Sequence, residues 1–107
     1  MNLINLTPHP INVVDKQGEN ILSLPKCEVA PRLKQTSKVI GNINNIPITK
    51  TFFGEVENLP EKKEETFLIV SRLIMIACTD RDDLVVPNEI VRNKEGQIIA
   101  CKSLANN

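Results

Sequence analysis

The stretch TFLIVSRLIMIAC, residues 66–78, decides how we expect the chain to fold. Thr66 to Val70 form an apolar, β-prone run, which predicts a buried central strand. Ser71 follows and predicts a helix cap, because a serine hydroxyl accepts a hydrogen bond from the first turn of a helix. Residues 72–78 then predict a helix of about two turns. A strand followed directly by one short helix indicates a mixed α+β fold.

Short strands are expected on both sides of this stretch, because apolar segments alternate with proline, glycine and asparagine turns. Upstream, the pattern predicts strands at 2–6, 11–14 and 21–24, an edge strand over 28–34 containing Pro31, and a hairpin over 39–51 continuing towards residue 60. Downstream, it predicts strands at 84–87 and 97–104 and a frayed end over 105–107. The Asn44-Asn45 pair suits a primed hairpin turn. We therefore expect residues 1–107 to form a single α+β, β-dominated domain of short, mainly antiparallel strands with one short helix.

Charge and aromatic content narrow the expected partners. The chain has 13 basic residues (Lys and Arg together) and 13 acidic residues (Asp and Glu together), so the formal net charge is zero. This balance argues against binding to polymeric nucleic acid or to an anionic membrane. The aromatic residues are only Phe52, Phe53 and Phe67, which are too few for the base-stacking platforms of single-strand binders.

We expect a cytoplasmic protein. The first residues lack a basic region followed by an apolar stretch. The longest apolar run, residues 67–78, is interrupted by Ser71 and Arg72 and is too short to span a membrane. The three cysteines cannot all pair with one another, which predicts reduced thiols. Many short strands leave sheet edges open, so a homo-oligomer is also expected.

No metal, cofactor or catalytic centre is expected. A zinc site would need Cys27, Cys78, Cys101 and His9, but none of these forms a closely spaced ligand pair. The Asp80, Asp82 and Asp83 cluster lacks the glycine and distal glutamate of a calcium loop and predicts a solvated turn. Phosphate-binding glycine loops, zinc-protease helices and serine nucleophile elbows are absent from the sequence. We therefore predict a protein that is not an enzyme.

His9 is the only histidine, so a catalytic triad or a Cys-His centre would have to use it. It lies between Pro8 and Pro10, a rigid setting that suits a positioned group. A surface turn residue is the first interpretation of this setting, a ligand contact the second and a catalytic base the third.

The arginines are candidate phosphate ligands, because a planar guanidinium matches a phosphate bidentately. Arg72 begins the expected helix, Arg32 follows Pro31, and Arg92 precedes the turn at 93–96, whose backbone amides are expected to face an anion. The alternative interpretation pairs Arg72 or Arg92 in structural salt bridges, with Glu55, Glu57 or Glu89. The sequence favours neither interpretation.

Several segments together resemble a family of small phage and prophage proteins. The chain opens with Asn5-Leu6-Thr7-Pro8-His9-Pro10-Ile11. Its second half carries, in order, FGEVENLP at 53–60, IVS at 69–71, RDDLVVP at 81–87 and VRNKEGQII at 91–99. These segments cover most of the chain, and their order is specific.

The size, the opening motif and the spaced arginines also resemble the first type of Thoeris anti-defence protein. Members of that group are non-enzymatic phage sponges that hold cyclic ADP-ribose-type signals between subunits, and some also take cyclic oligonucleotides. The resemblance implies that this chain sequesters a small phosphorylated signalling nucleotide and so counters bacterial anti-phage defence.

For this function we expect eight ligand-binding residues. Phosphates would be held by Arg32, Arg72 and Arg92, ribose or base edges by Asn5, Thr7, His9 and Asn88, and a base would stack on Phe53. Two alternatives to this function remain open. One is a phage accessory protein that binds a host protein through a sheet edge, and the other is a nucleotide-cleaving enzyme that uses His9.

Overall fold

The computed structural model describes residues 1–106, which form eight strands and one helix. The elements are β1 Asn2–Asn5, β2 Ile11–Val14, β3 Asn20–Leu24, β4 Arg32–Ile43, β5 Ile46–Glu57, β6 Thr66–Ile69, α1 Arg72–Ala77, β7 Leu84–Arg92 and β8 Ile98–Asn106. The expected fold class is confirmed: the chain is strand-dominated, its longest strand pairs are antiparallel, and it has one short helix. That helix, α1, is far shorter than a membrane-crossing helix, and the described residues contain no candidate span.

Six strands form one mixed sheet in the order β1-β6-β7-β8-β2-β3. β6 lies between β1 and β7 and is parallel to both. β8 runs antiparallel to β7 and touches β2 through a single parallel pair, Val13 with Cys101. β2 and β3 close the other end as an antiparallel pair. The parallel pairings are short, and α1 supplies the crossover from β6 to β7 that a parallel pair requires.

The core lies where β6, α1 and β7 meet. Its buried cluster consists of Leu68, Val70, Ile74, Met75, Leu84 and Val86. Ser71 caps the N-terminus of α1 as expected, because its hydroxyl accepts a hydrogen bond from the Ile74 amide at 3.3 Å. The stretch at 66–78 therefore forms a strand, a cap and a helix, and it buries Leu68, Val70, Ile74 and Met75 in one cluster with Leu84 and Val86 of β7.

β4 and β5 form a separate two-stranded sheet of twelve residues each. Asn44 and Asn45 both adopt positive φ, 51° and 65°, as a primed turn requires, which confirms the predicted hairpin. The hairpin is longer than the predicted 39–51, because its ladder extends to Arg32 opposite Glu57. The expected edge strand at 28–34 begins only at Arg32, since Pro31 has no N–H to donate to a ladder.

Two strand ends at the C-terminal side differ from expectation. β7 continues past Pro87 to Arg92, so Asn88 lies within a strand, paired with Ser103. Pro87 fits there because it lies beyond the part of β7 that pairs with β6. The expectation of a frayed end at 105–106 is wrong: Asn106 pairs with Val85 and donates to the Leu84 carbonyl at 2.6 Å. Residue 107 of that expected end lies outside the described residues.

Candidate functional site

A surface groove follows β8 between its neighbours β7 and β2, and we call it the β8 groove. Its volume is about 1060 Å³. Of the eight expected ligand-binding residues it contains two, His9 and Arg92. The other lining residues are Pro10, Ile11, Asn12, Pro87, Ile90, Gly96, Gln97, Ile98, Ile99, Ala100 and Cys101. The groove therefore combines a mainly apolar floor with one cationic group and one imidazole.

The turn after β7 orients Arg92. The guanidinium Nη1 donates to the Gly96 carbonyl at 2.9 Å, across the turn. Gly96 adopts φ +81°, a left-handed conformation that suits glycine. Arg92 is exposed, and no carboxylate pairs with it among the described residues. Its remaining N–H groups therefore have no acceptor within residues 1–106 and are open to an anion in the groove.

Most amides of this turn, which were expected from sequence to face an anion, are bonded within the turn itself. The Asn93 side-chain oxygen accepts from the amides of Glu95 and Gln97, both at 3.0 Å. The Gly96 amide donates to the Asn93 carbonyl at 3.0 Å. Because these three donors are already bonded within the turn, Arg92 is the candidate anion-binding group on this side of the groove.

His9 lines the groove from the side of β2, in the rigid bend that its two prolines predicted. Its carbonyl accepts from the Asn5 amide group at 2.8 Å and from the Thr7 hydroxyl at 3.0 Å. These bonds fix the backbone of the bend, while the imidazole itself is exposed and has no hydrogen-bond partner among residues 1–106. The ring is therefore positioned by its backbone and free to contact a ligand.

Asn5 and Thr7 are built into the bend. Both residues are buried, with 7% and 8% of their surface exposed. The Asn5 side chain donates to the carbonyls of His9 and Pro25, and its oxygen accepts from the amide and hydroxyl of Thr7. Side chains whose hydrogen bonds are used internally are poor ligand groups, so this geometry favours a structural role for both.

A second groove, of about 560 Å³, lies at the carboxyl ends of β1 and β6. Arg32 lines it together with Thr7, Asn58 and Ser71. Arg72, the exposed first residue of α1, follows Ser71 directly. Arg32 and Arg92 thus line different grooves of one chain, and the three arginines are not brought together in one.

Phe53 and Asn88 line neither groove. Phe53 lies on β5 opposite Gln35, and 56% of its surface is exposed. Asn88 is exposed on β7, next to Pro87 of the β8 groove. Their ligand contacts stay predictions without support from the geometry of one chain.

The salt bridges of the described residues do not involve Arg72 or Arg92, which the alternative interpretation paired with glutamates. Within residues 1–106 neither Arg72 nor Arg92 pairs with a glutamate. Arg81 instead holds Asp83, with Nε and Nη2 each 2.8 Å from a carboxylate oxygen, and also donates to the Pro60 carbonyl. These hydrogen bonds hold the pKa of Asp83 below its usual range. This pair was not predicted from sequence, although an arginine two residues before an aspartate, directly ahead of a strand, is a pattern that would have indicated it.

The cysteines and acidic residues do not assemble a reactive centre in the described part of the chain. No group of three His, Cys, Asp or Glu side chains there is placed to hold a metal ion. Cys101 lines the β8 groove but is buried, and that burial raises the pKa of its thiol. A raised pKa disfavours the thiolate, which is the nucleophilic form. No protein-family model, curated protein or solved structure matches the chain.

Proposed function

We propose that the chain is a non-enzymatic, phage-encoded binding protein that holds a small phosphorylated nucleotide in the β8 groove. The observation that carries this proposal is the unpaired Arg92 guanidinium at the edge of a mainly apolar groove. A phosphorylated nucleotide has the complementary parts, because its phosphate matches a guanidinium and its flat base matches an apolar floor. The resemblance to the Thoeris anti-defence group supports a cyclic nucleotide or cyclic ADP-ribose-type signal.

Groove chemistry favours retention of the ligand over its conversion. A hydrolase needs a nucleophile, a base and a group that stabilises developing charge in one place. In the β8 groove His9 has no carboxylate to orient its ring, and the Cys101 thiol is buried with a raised pKa. A sponge needs only affinity and abundance, which an arginine and an apolar floor supply. Sequestration of such a signal would take place in the bacterial cytoplasm, where we place the protein.

Calorimetric titration with cyclic ADP-ribose isomers and cyclic di- and trinucleotides tests the proposal. We expect one of these ligands to bind, and Arg92→Ala to weaken that binding about ten- to hundredfold, the cost of one charge-assisted hydrogen bond. Lys94→Ala is the matched control, because Lys94 is exposed in the same turn and lies outside the groove lining. No binding by the wild type, or equal losses in the two variants, would contradict the proposal.

The fate of the ligand separates a sponge from an enzyme. After incubation and heat denaturation, we expect the ligand to return intact and in stoichiometric amount. Multiple turnovers of product that disappear in His9→Ala would instead establish the nucleotide-cleaving alternative.

A second candidate function, binding of a host protein through a sheet edge, has one observation in its favour. β1 and β3 are the edge strands of the mixed sheet, and Ile4 and Ile21 on them are 43% and 65% exposed. An edge strand offers unpaired backbone groups to a partner strand. A chain that binds none of the nucleotides but retains a defined bacterial protein through β1 would support this candidate.

A further inference from the structure

The outer part of the β4–β5 hairpin, residues 34–53, contains no buried residue, and we call it the arm. Its exposed large apolar residues are Val39, Ile40, Ile43, Ile46, Phe52 and Phe53. Thr36 opposes Phe52 and Gln35 opposes Phe53, so the two phenylalanines lie on opposite faces of the ribbon. Apolar side chains are thus exposed on both faces of the arm.

A two-stranded ribbon with uncovered faces is marginally stable in water. Only the base of the hairpin packs against the core, through Leu33 and Val56. Beyond that base the arm comprises residues 34–43 of β4 and 46–53 of β5, and its longer strand extends about 33 Å at about 3.3 Å per residue. A ribbon of this length needs a covering surface that residues 1–106 of one chain do not provide.

The charge of the arm indicates which surface covers it. The arm contains Lys34, Lys38 and Lys50 and no acidic residue, so its net charge is +3. The rest of the chain carries the other ten basic residues and all 13 acidic ones, a net charge of −3. The arm and the remainder of the chain are therefore complementary in charge.

The arm also holds a like-charge pair that calls for a counter-ion. Lys38 and Lys50 are direct cross-strand partners, an arrangement that is destabilising for like charges. The Lys50 ammonium lies 5.5 Å from the centre of the Phe52 ring, and no carboxylate pairs with either lysine among the described residues. Pairing of two arms with each other would add further like charges, so an acidic surface is the better partner.

The rest of the described chain, residues 1–33 and 54–106, which we call the body, offers such a surface where two loops meet. The Lys62 ammonium contacts the Asp82 carboxylate and joins the loop at 61–65 to the loop at 79–83. The two loops carry six acidic and three basic residues. Four of those carboxylates have no ion pair in the described structure: Glu61, Glu64, Glu65 and Asp80. We call these two loops the acidic patch.

We propose that the arm of one copy lies on the acidic patch of a second copy, so that the protein assembles into a homo-oligomer by exchange of arms. The Lys38–Lys50 pair gains carboxylates from the patch, and the apolar faces of the arm lose their contact with water. The inference is independent of the nucleotide, because none of the arm residues lines the β8 groove.

Sedimentation velocity of the full chain at micromolar concentration tests the inference. We expect an oligomer in the wild type, and a dissociation constant at least about tenfold higher in Lys38→Glu/Lys50→Glu, where carboxylates replace both ammonium groups. Lys16→Glu/Lys26→Glu is the matched control, because it changes the net charge equally at exposed positions outside the arm. A monomeric wild type would overturn the inference, even if its arm were found to bind DNA or another protein. Equal effects of the two double variants on assembly would overturn it as well.

Charge reversal on the patch locates the contact. We expect Glu64→Lys/Asp80→Lys to weaken assembly, and its combination with Lys38→Glu/Lys50→Glu to restore assembly, since the opposite charges then face each other again. Circular dichroism confirms that each variant is folded, and nucleotide titration shows whether the β8 groove is intact. A combined variant that is folded but stays monomeric would overturn the placement of the arm on this patch.

Discussion

The six-stranded sheet and the arm are built from the same kind of element but are stabilised differently. β6 has only four residues, yet Ile69 is fully buried and Leu68 is 3% exposed. β4 and β5 have twelve residues each, yet Ile43 and Ile46 at the tip are 60% and 61% exposed. Strand length is therefore a poor guide to stability here, because burial of side chains and not the number of ladder bonds distinguishes the two regions.

Truncation of one large apolar side chain in each region gives the largest expected contrast. Leu84→Ala removes a side chain with 0% exposure and should lower the free energy of unfolding by about 2–5 kcal/mol. Ile43→Ala, at the exposed tip of the arm, should lower it by less than about 0.5 kcal/mol when the chain is monomeric. Urea denaturation monitored by circular dichroism measures both. Similar losses would mean that the arm is part of the same core.

The Arg81–Asp83 pair gives an intermediate effect and a pH signature. Arg81→Met leaves Asp83, 3% exposed, without its partner and should cost about 1–3 kcal/mol at neutral pH. The folded state lowers the pKa of Asp83, so this contribution is present above the ordinary pKa of an aspartate and is lost as the pH falls through the lowered pKa.

Denaturation between neutral pH and pH of about 2 checks this sign. Wild-type stability should fall on acidification, and Asp83→Asn should show a shallower fall because it lacks the titrating carboxyl. The exposed Asp80→Asn is the control. An Asp83→Asn profile parallel to that of the wild type would contradict the assignment.

The helix cap gives the smallest effect within the body. Ser71→Ala removes the hydroxyl that accepts from the Ile74 amide and should cost about 1 kcal/mol. Ser71→Asp keeps an acceptor at the cap and should retain most of the stability. Thermal denaturation compares the two variants, and a Ser71→Ala protein as stable as the wild type would show that α1 is held by its packing alone.

The parts of the fold that the sequence predicted correctly are local. The strand, cap and helix of 66–78 depend on neighbouring residues, and the turn at Asn44-Asn45 depends on two adjacent asparagines. The extent of β7 and β8 was missed, because Asn106 is held by Leu84 and Val85, residues far away in the chain. The full length of the hairpin was missed because residues 35–38, which join the two predicted strands, are all polar and show no alternation that predicts a strand.

The candidate site divides in the same way. The rigid bend at His9 follows from its two prolines, and Arg92 follows from its place before a turn. The internal roles of Asn5 and Thr7 depend on the carbonyls of His9 and Pro25, which only the folded chain brings together. A polar side chain beside a candidate ligand-binding histidine looks the same in sequence whether it faces a ligand or supports the backbone.

We propose separate roles for the two regions, in which the body binds the nucleotide and the arm assembles the protein. Native mass spectrometry of the purified full chain tests both halves in one spectrum. We expect an oligomer that carries the additional mass of a phosphorylated nucleotide, a ligand-free oligomer for Arg92→Ala, and a monomer for Lys38→Glu/Lys50→Glu. A monomeric wild-type protein would contradict the assembly half of the account. A wild-type protein that takes up no nucleotide mass when incubated with cyclic ADP-ribose isomers and cyclic oligonucleotides would contradict the binding half.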